Sequence, residues 1–480
     1  MPFRQVVPYL TGDQIAGMYE KCLYFLETKG FKIESDTLLA VLAERGAHVD
    51  METQMACFPR TLVEEALARV PDSFTLRAPD PRFDLPFPNP SGSFYFRTNT
   101  GGSSWQEPET GEYRRVRRDD VAAWGRLASQ LENVDFVAFP SPIDVPDPTA
   151  DIHALHTLLL NSAKHVWIQP YSELTLPYLI ALSQAAAGGA EALKARPIVS
   201  VIACSLTPFA FKPMDADIFM QATAAGIPIQ GCSLPTAGGT APMTEAGTTL
   251  VHGIEIMAQL VMTQLLKPGH PFIGTPLAFS MDMQAGRALQ SSPEAMRIAM
   301  WSVQFLKEAL KIPVHTYGAG SDSPILDAQV PAESAMLATL VARAGADVLG
   351  AGGQFDVATA ISPVQLICDN EMVGALRKVM TPFVDDEEGL GWQAILQTAP
   401  ADSFLLHEHT YNHCRDAWRA RLYTRESREA WRAANSKDVW GRAKDKYDEL
   451  MQNPAPDVLG EQAKADMAVV LENADRALVG

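Results

Sequence analysis

Eight times between residues 93 and 381 an apolar run of strand length is followed by a turn and then by a longer run at helical spacing. The strand runs are expected near Phe94 and Phe96, then at 135–139, 165–170, 197–204, 227–234, 271–278, 313–318 and 346–350. The helical runs follow near Val121, Trp124, Ala128 and Leu131, then at 148–161, 173–186, 215–225, 244–266, 293–310, 332–344 and 363–379. Strands alternating with helices give an α/β fold with a parallel sheet. Eight units over about 290 residues match the size of a (β/α)8 TIM barrel. A doubly wound open sheet is the alternative, but it would show fewer units and a clearer dinucleotide fingerprint. The barrel is the expected fold, over 91–381.

Outside that span the pattern changes. Ile15, Met18, Tyr19, Cys22, Leu23 and Leu26 keep helical spacing and stop at Gly30, and two further apolar segments follow around Leu38–Leu42 and Val63–Leu67. Residues 1–90 therefore read as an N-terminal helical extension, closed by a proline-rich belt at 80–91. Residues 382–480 read as a C-terminal helical extension with Trp418, Trp431, Trp440 and Tyr447. Such a segment wraps the barrel or meets another subunit, so a homo-oligomer is expected.

Composition excludes some partners. Lys and Arg number 39 against 57 Asp and Glu, a net charge of −18, and no basic face for phosphates is visible. Nucleic acid is not expected to bind. No uncharged apolar run reads as a membrane span; 250–266 comes nearest and is interrupted by His252 and Glu255. The start carries no apolar signal core. The six cysteines are far apart, several in apolar runs, which suits reduced core thiols in a cytoplasmic protein.

In a barrel the active site lies beyond the carboxyl ends of the strands. Read in turn, those ends offer 99–102, Ser141, Gln169 with Tyr171, Ser205 with Thr207, and Ser233 with the Gly238–Gly239 loop. Ser280 with Asp282, 318–322 and 352–355 complete the set. It is polar but mostly uncharged, and no residue is assigned as a catalytic acid or base. Glycine-rich loops allow close approach by a large flat ligand, and a helix start offers N–H groups to an anion. Gly and Ser in short turns explain any one loop without a ligand; they explain the whole set less well.

Phe96, Trp105, Tyr171 and Phe355, with Tyr411 from the later segment, are candidates for an aromatic box around a quaternary ammonium group. Plain packing is the alternative for each of them. His409 and His413 are four apart, as two metal ligands on one helical turn would be, but no HExxH is present and no ligand beyond His407 is evident. They read as hydrogen-bonding histidines at the mouth, and no metal is expected.

The runs CSLPTAGGTAPMTEAG, SMDMQAGRALQSSPEAM, GAGSDSPILDAQVPAESAM and HEHTYNHCRDAW resemble the trimethylamine/glycine betaine:corrinoid protein methyltransferase superfamily. So do ETKGFKIES and CFPRTLVEEALARVPDSFTL near the start, and the likeness covers nearly the whole chain. The resemblance implies a TIM barrel and transfer of a methyl group from a methylated amine to cob(I)alamin on a separate corrinoid protein. Asp151-Ile152-His153 lacks the later glycine of the DxHxxG corrinoid-ligand motif, so the chain is not expected to carry its own cobalamin. The trimethylamine enzymes of methanogens contain pyrrolysine. This chain has only ordinary residues and looks more like the branch without it, which includes glycine betaine methyltransferase.

On that resemblance Gly238, Gly239, Ser280, Asp282, Gly320, Ser321, Asp322, Gly353 and Gln354 are the residues expected to face the visiting cobalamin. A betaine carboxylate would find N–H donors at Gly238–Gly239 or partners at His407 and His409. Proline betaine, carnitine, trimethylamine or a sulfonium compound are alternative donors. A metal-dependent barrel enzyme and a non-catalytic binding protein are the competing classes.

Overall fold

The computed structural model describes residues 6–480. Eight parallel strands form one ring: β1 (Tyr95–Thr98), β2 (Phe136–Ala138), β3 (His165–Ile168), β4 (Val199–Cys204), β5 (Ile229–Ser233), β6 (Phe272–Pro276), β7 (His315–Tyr317) and β8 (Val348–Gly352). Each pairs with its sequence neighbour, and β8 pairs back to β1 with Leu349 opposite Phe96. A parallel bridge from Gly274 to Val314 joins β6 to β7, so the sheet closes without an edge.

Each strand is followed by its helix: α1 (Arg118–Gln130), α2 (Ala150–Asn161), α3 (Leu176–Ala187), α4 (Pro213–Ala225), α5 (Glu245–Leu266), α6 (Pro293–Phe305), α7 (Gln329–Ala344) and α8 (Pro363–Val379). The starts follow local chemistry. Pro stands in the first turn of α3, α4, α6 and α8, where its missing N–H costs nothing. Ser292 and Ser362 cap α6 and α8 by accepting from Ala295 N–H and Gln365 N–H.

Strand alternation divides the apolar residues between two cores. Tyr95, Phe136, Ala138, Trp167, Ile202, Cys232, Ile273 and Val348 fill the barrel interior. Phe94, Phe96, Val137, Val166, Ile168 and Leu349 face the helices instead. The strand-start end of the interior is sealed by a hairpin of Phe74–Leu76 and Leu85–Phe87, whose Leu76, Leu85 and Phe87 join the interior cluster. Each such fully buried side chain is worth about 1.5–3 kcal/mol.

The N-terminal stretch contains the expected helices, Gly12–Thr28, Asp36–Glu44 and Arg60–Leu67, but also strands that helical periodicity did not show. Phe31–Ile33 pairs with Met55–Cys57 and, in parallel, with Ala210–Phe211 from the loop after β4. This extension lies over α5, which explains why that helix is buried on nearly every face. α5 is the one described helix long and apolar enough to cross a membrane, and 89% of its apolar window is buried in the molecule. After α8, helices Val439–Met451 and Glu461–Leu478 return along the barrel, the first against α8 and α1, the second against α3 and α2.

Candidate active site

The strand-end loops are more structured than bare turns. Thr236–Ala237, Phe279–Asp282 and Arg287–Leu289 form one small sheet over the mouth, and Ser104–Gln106, Tyr113–Arg115, Gln354–Phe355 and Ala360–Ile361 form another. Between them a cavity of about 280 Å³ opens at the strand ends, near the lower limit for a small-molecule site. Trp167, Ile202, Cys232, Cys204, Leu277 and Tyr317 line it from the strands, with Gln169, Met214 and Asp215 from the loops and the start of α4.

Asp215 lines this cavity, and a buried charge of opposite sign, Arg97, lies against the Trp167 that forms part of its wall. Asp215 accepts from Cys204 N–H at 3.2 Å and Lys212 N–H at 3.3 Å, and burial raises its carboxyl to about 6. Arg97 is fully buried, its guanidinium carbon 3.8 Å from the centre of the Trp167 ring. It donates to His315 Nε2 (3.1 Å) and to the Thr98 carbonyl (2.6 Å), while Nη2 has no partner. Among the described residues no carboxylate pairs with it, and burial lowers it to about 9. Its charge is felt by Tyr317 and Cys232, both of which line the cavity.

Arg97 ends a one-way chain of hydrogen bonds through the barrel. His315 takes its proton on Nδ1 and donates to Gln230 Oε1 at 2.8 Å. Gln230 donates to Ser200 Oγ, Ser200 to His165 Nε2, and His165 Nδ1 to the Arg77 carbonyl beneath the sealing hairpin. Burial holds both histidines neutral, His165 at about 4. Gly350 makes room for this chain: a Cβ there would lie 2.7 Å from His315 Nε2 and 2.8 Å from Arg97 Nη2.

Acidic residues behind the mouth fix its loops. Glu255, fully buried on α5, accepts from Ser205 Oγ, Thr207 Oγ1, Ser233 Oγ and Phe209 N–H at 2.6–3.0 Å. Asp151 on α2 accepts from Tyr171 N–H and Thr175 Oγ1. Asp369 on α8 accepts from Gly353 N–H and Gln365 Nε2, and burial raises it to about 7.

The five aromatic candidates do not converge, which corrects the expected box. Phe96 and Trp105 are buried in the outer core, Trp105 edge-on to Trp124. Phe355 is buried with Val330 and Ala360. Tyr171 stands at the rim, its hydroxyl bonded to Ser141 Oγ. Tyr411 is exposed on the far segment.

His407 and His409 are likewise misplaced by the sequence reading. Their segment is fastened where α8 ends, through Lys378 Nζ to the Asp416 carbonyl, and α8 ends at the strand starts, where Arg377 meets the Phe94 carbonyl. His409 bonds the Glu388 carbonyl, and His407 is bonded by His409 N–H. Glu388 and Asp416 flank His413 and raise its pKa. Ligand atoms of Glu388, His409 and His413 lie within 4.8 Å of one another, but every one already has a protein partner.

The expected corrinoid-facing residues split. Gly238 N–H and Gly239 N–H are spent inside their own turn, on Ala241 and Thr236 carbonyls, so they offer no anion site. Asp282 closes the turn at Gln284 and Ala285. Ser280, Gly320, Ser321, Asp322 and Gln354 do come together across β1, β6, β7 and β8. Asn99 donates to Gln354, Gln354 to Gln290, and Gln290 to the Ala319 carbonyl. Asp322 holds Gln290 and Ser291 N–H, Ser321 bonds Glu333, Gly320 N–H bonds Ser334 Oγ, and Ser280 bonds Ser292. Gly353 points at Trp124, not at the mouth.

Trp167, Tyr317, Cys204, Cys232 and Asp215 were missed. Strand parity could have found the first four, since each faces the same way as Gln169 or a neighbouring inward residue. Asp215 carries only the signal of an acid in the first turn of a helix.

The chain resembles known proteins along its length. Residues 3–473 match the family described as trimethylamine methyltransferase (MTTB). Trimethylamine methyltransferase MttB of Desulfitobacterium hafniense (strain DSM 10664 / DCB-2) is 30% identical over 465 residues, covering 96% of this chain and 93% of that protein. The glycine betaine methyltransferase of D. hafniense (strain Y51) is 26% identical over 462 residues, covering 95% of each. The solved monomethylamine methyltransferase (MtmB) of Methanosarcina barkeri aligns at 12% identity and a TM-score of 0.48, covering 92% of both chains.

Proposed function

Since the chain belongs to the trimethylamine methyltransferase (MTTB) family of corrinoid-dependent methyltransferases, we propose that it demethylates a zwitterionic quaternary amine, glycine betaine foremost. The acceptor is a corrinoid on a separate protein. The observation that carries the choice is the pair of opposite charges beside the cavity, Asp215 in its wall and Arg97 against the Trp167 ring. A simple methylated cation would be drawn to Asp215 but opposed by the uncompensated Arg97. A betaine matches both, its ammonium toward Asp215 and Tyr317, its carboxylate toward the Trp167 wall that carries the Arg97 charge against its ring.

This chain's own work is binding and alignment. Trp167, Ile202, Leu277 and Met214 exclude water, which strengthens the attraction between the ammonium and Asp215. No proton is needed at the leaving nitrogen, because it already carries the positive charge. Holding one N-methyl group toward the open mouth supplies the in-line geometry. A docked corrinoid would supply a reduced cobalt nucleophile for the methyl group, and the C–N electron pair would stay on the departing tertiary amine.

The rim supports a visiting carrier. Ile143, Leu174, Leu206, Met243, Met283 and Ile325, from six successive loops after β2 to β7, are each more than 40% exposed. A ring of exposed apolar side chains around a cavity marks a docking surface, and it suits the apolar edge of a macrocycle and its carrier.

Trimethylamine is the second reading, favoured by the name of the relative at 30% identity. The test follows cob(I)alamin to methylcobalamin by absorbance, with the cognate corrinoid protein and a panel of methylated amines. Methylation with glycine betaine and not with trimethylamine is expected; the reverse order overturns the assignment.

A further inference from the structure

The fold sets two of the six cysteines side by side in the wall of the cavity. Cys204 ends β4, Cys232 lies on β5, and the two are directly opposite in the parallel register. Ser205 N–H donates to the Cys232 carbonyl at 3.0 Å, which holds that register at the strand ends. Adjacent strands lie about 4.8 Å apart, inside the roughly 4.4–6.8 Å of Cα separation that a disulfide spans. Both side chains face the barrel interior: Cys232 belongs to its core, and Cys204 packs against that core. The two thiols are within hydrogen-bonding reach of each other.

They differ in access. Cys204 is partly exposed, whereas Cys232 is fully buried. Burial pushes the Cys232 thiol up, so it stays protonated. A small peroxide entering the cavity therefore meets Cys204 first. The Cys204 sulfur is oxidised to a sulfenic acid as the O–O bond breaks, and one water leaves. The Cys232 sulfur then attacks that sulfur, its proton departs with the hydroxyl as a second water, and an S–S bond forms. Two thiols and one peroxide thus give one disulfide and two waters. A thiol reductant reverses the change by exchange.

Closure acts on the site beside it. Cys204 N–H donates to Asp215 at 3.2 Å. A disulfide brings its Cβ atoms to about 3.8 Å, closer than the strand spacing, so the end of β4 shifts and that hydrogen bond with it.

We propose that Cys204 and Cys232 are a redox gate, a dithiol that a small peroxide converts to a disulfide in the cavity wall, shutting the cavity to its amine until a thiol reductant reopens it. A site that serves a reduced cobalt works only under reducing conditions, and the gate closes it when those fail. The route through Asp215 rests on the role proposed for that residue; formation of the bond does not.

Hydrogen peroxide on the full chain, then removal of the peroxide, alkylation in denaturant and peptide mapping, tests the bond without any ligand. The expected product has lost two hydrogens, with Cys204 joined to Cys232 and both alkylated again after dithiothreitol. Cys232→Ala should instead carry an oxidised Cys204 and no internal bond. Sulfinic acid at Cys204 beside an alkylatable Cys232 in the wild type would overturn the proposal. Calorimetry reads the gate, with the panel amine that the untreated chain binds most tightly. Affinity should fall by about tenfold or more on oxidation and return with dithiothreitol, and Cys204→Ser should keep its own untreated affinity through the same treatment. A bond that forms and leaves affinity unchanged would overturn the gate. An oxidised wild type that loses affinity while reduced Asp215→Asn keeps it would fault the role of Asp215 and leave the gate standing.

Discussion

At the scale of single residues the site depends on a few buried charges. Asp215 is raised to about 6 by burial, so it is largely ionised at pH 7 and protonates as pH falls through that value. A cation held by it is released in the same window. Betaine affinity, measured by titration calorimetry, should therefore fall between pH 7 and 5. Asp215→Asn should bind about tenfold more weakly at pH 7, roughly 1.4 kcal/mol, with little pH dependence left. Tyr411→Ala, far from the mouth, should leave affinity unchanged. Gly350→Ala would press a methyl group against His315 and Arg97. It should lower stability by about 1–3 kcal/mol in chemical denaturation and weaken betaine binding as well, because Arg97 moves.

At the scale of elements the barrel was legible and its mouth was not. All eight strand–helix units lie where periodicity placed them, because short strand-length apolar runs and longer runs at helical spacing alternate between turns. The aromatic box failed because an aromatic near a strand end faces either the barrel interior or the helices, and neighbouring positions differ. Phe96 and Arg97 show this directly, one facing the helices and the other inside. The loops failed for another reason: their short strands pair with loops distant in sequence, as Ala360–Ile361 does with Ser104–Trp105. Glu255 ties two such loops to α5. Glu255→Leu should strand two serine hydroxyls, a threonine hydroxyl and the Phe209 N–H, costing about 3 kcal/mol or more. The loss would appear in thermal unfolding and as faster hydrogen exchange confined to 205–211. Lys164 does similar work on α1, donating to the Ala128, Leu131 and Val134 carbonyls. Lys164→Met should cost about 2–4 kcal/mol.

Over the whole molecule, each end of the barrel has its own task. The strand-start end is closed by the hairpin, and the segment after α8 is fastened there. The strand-end mouth carries the cavity and the apolar rim. The histidine-rich segment was assigned to the mouth because no local pattern tells which end of a barrel a later segment reaches. Only the path of α8 decides it. The central claim is that the mouth is built for a zwitterion, and calorimetry on the wild-type chain with glycine betaine and with tetramethylammonium measures that directly. The two ligands share the quaternary nitrogen and differ in the carboxylate. Glycine betaine binding at least tenfold tighter is the expected result; equal or tighter binding of tetramethylammonium would contradict it.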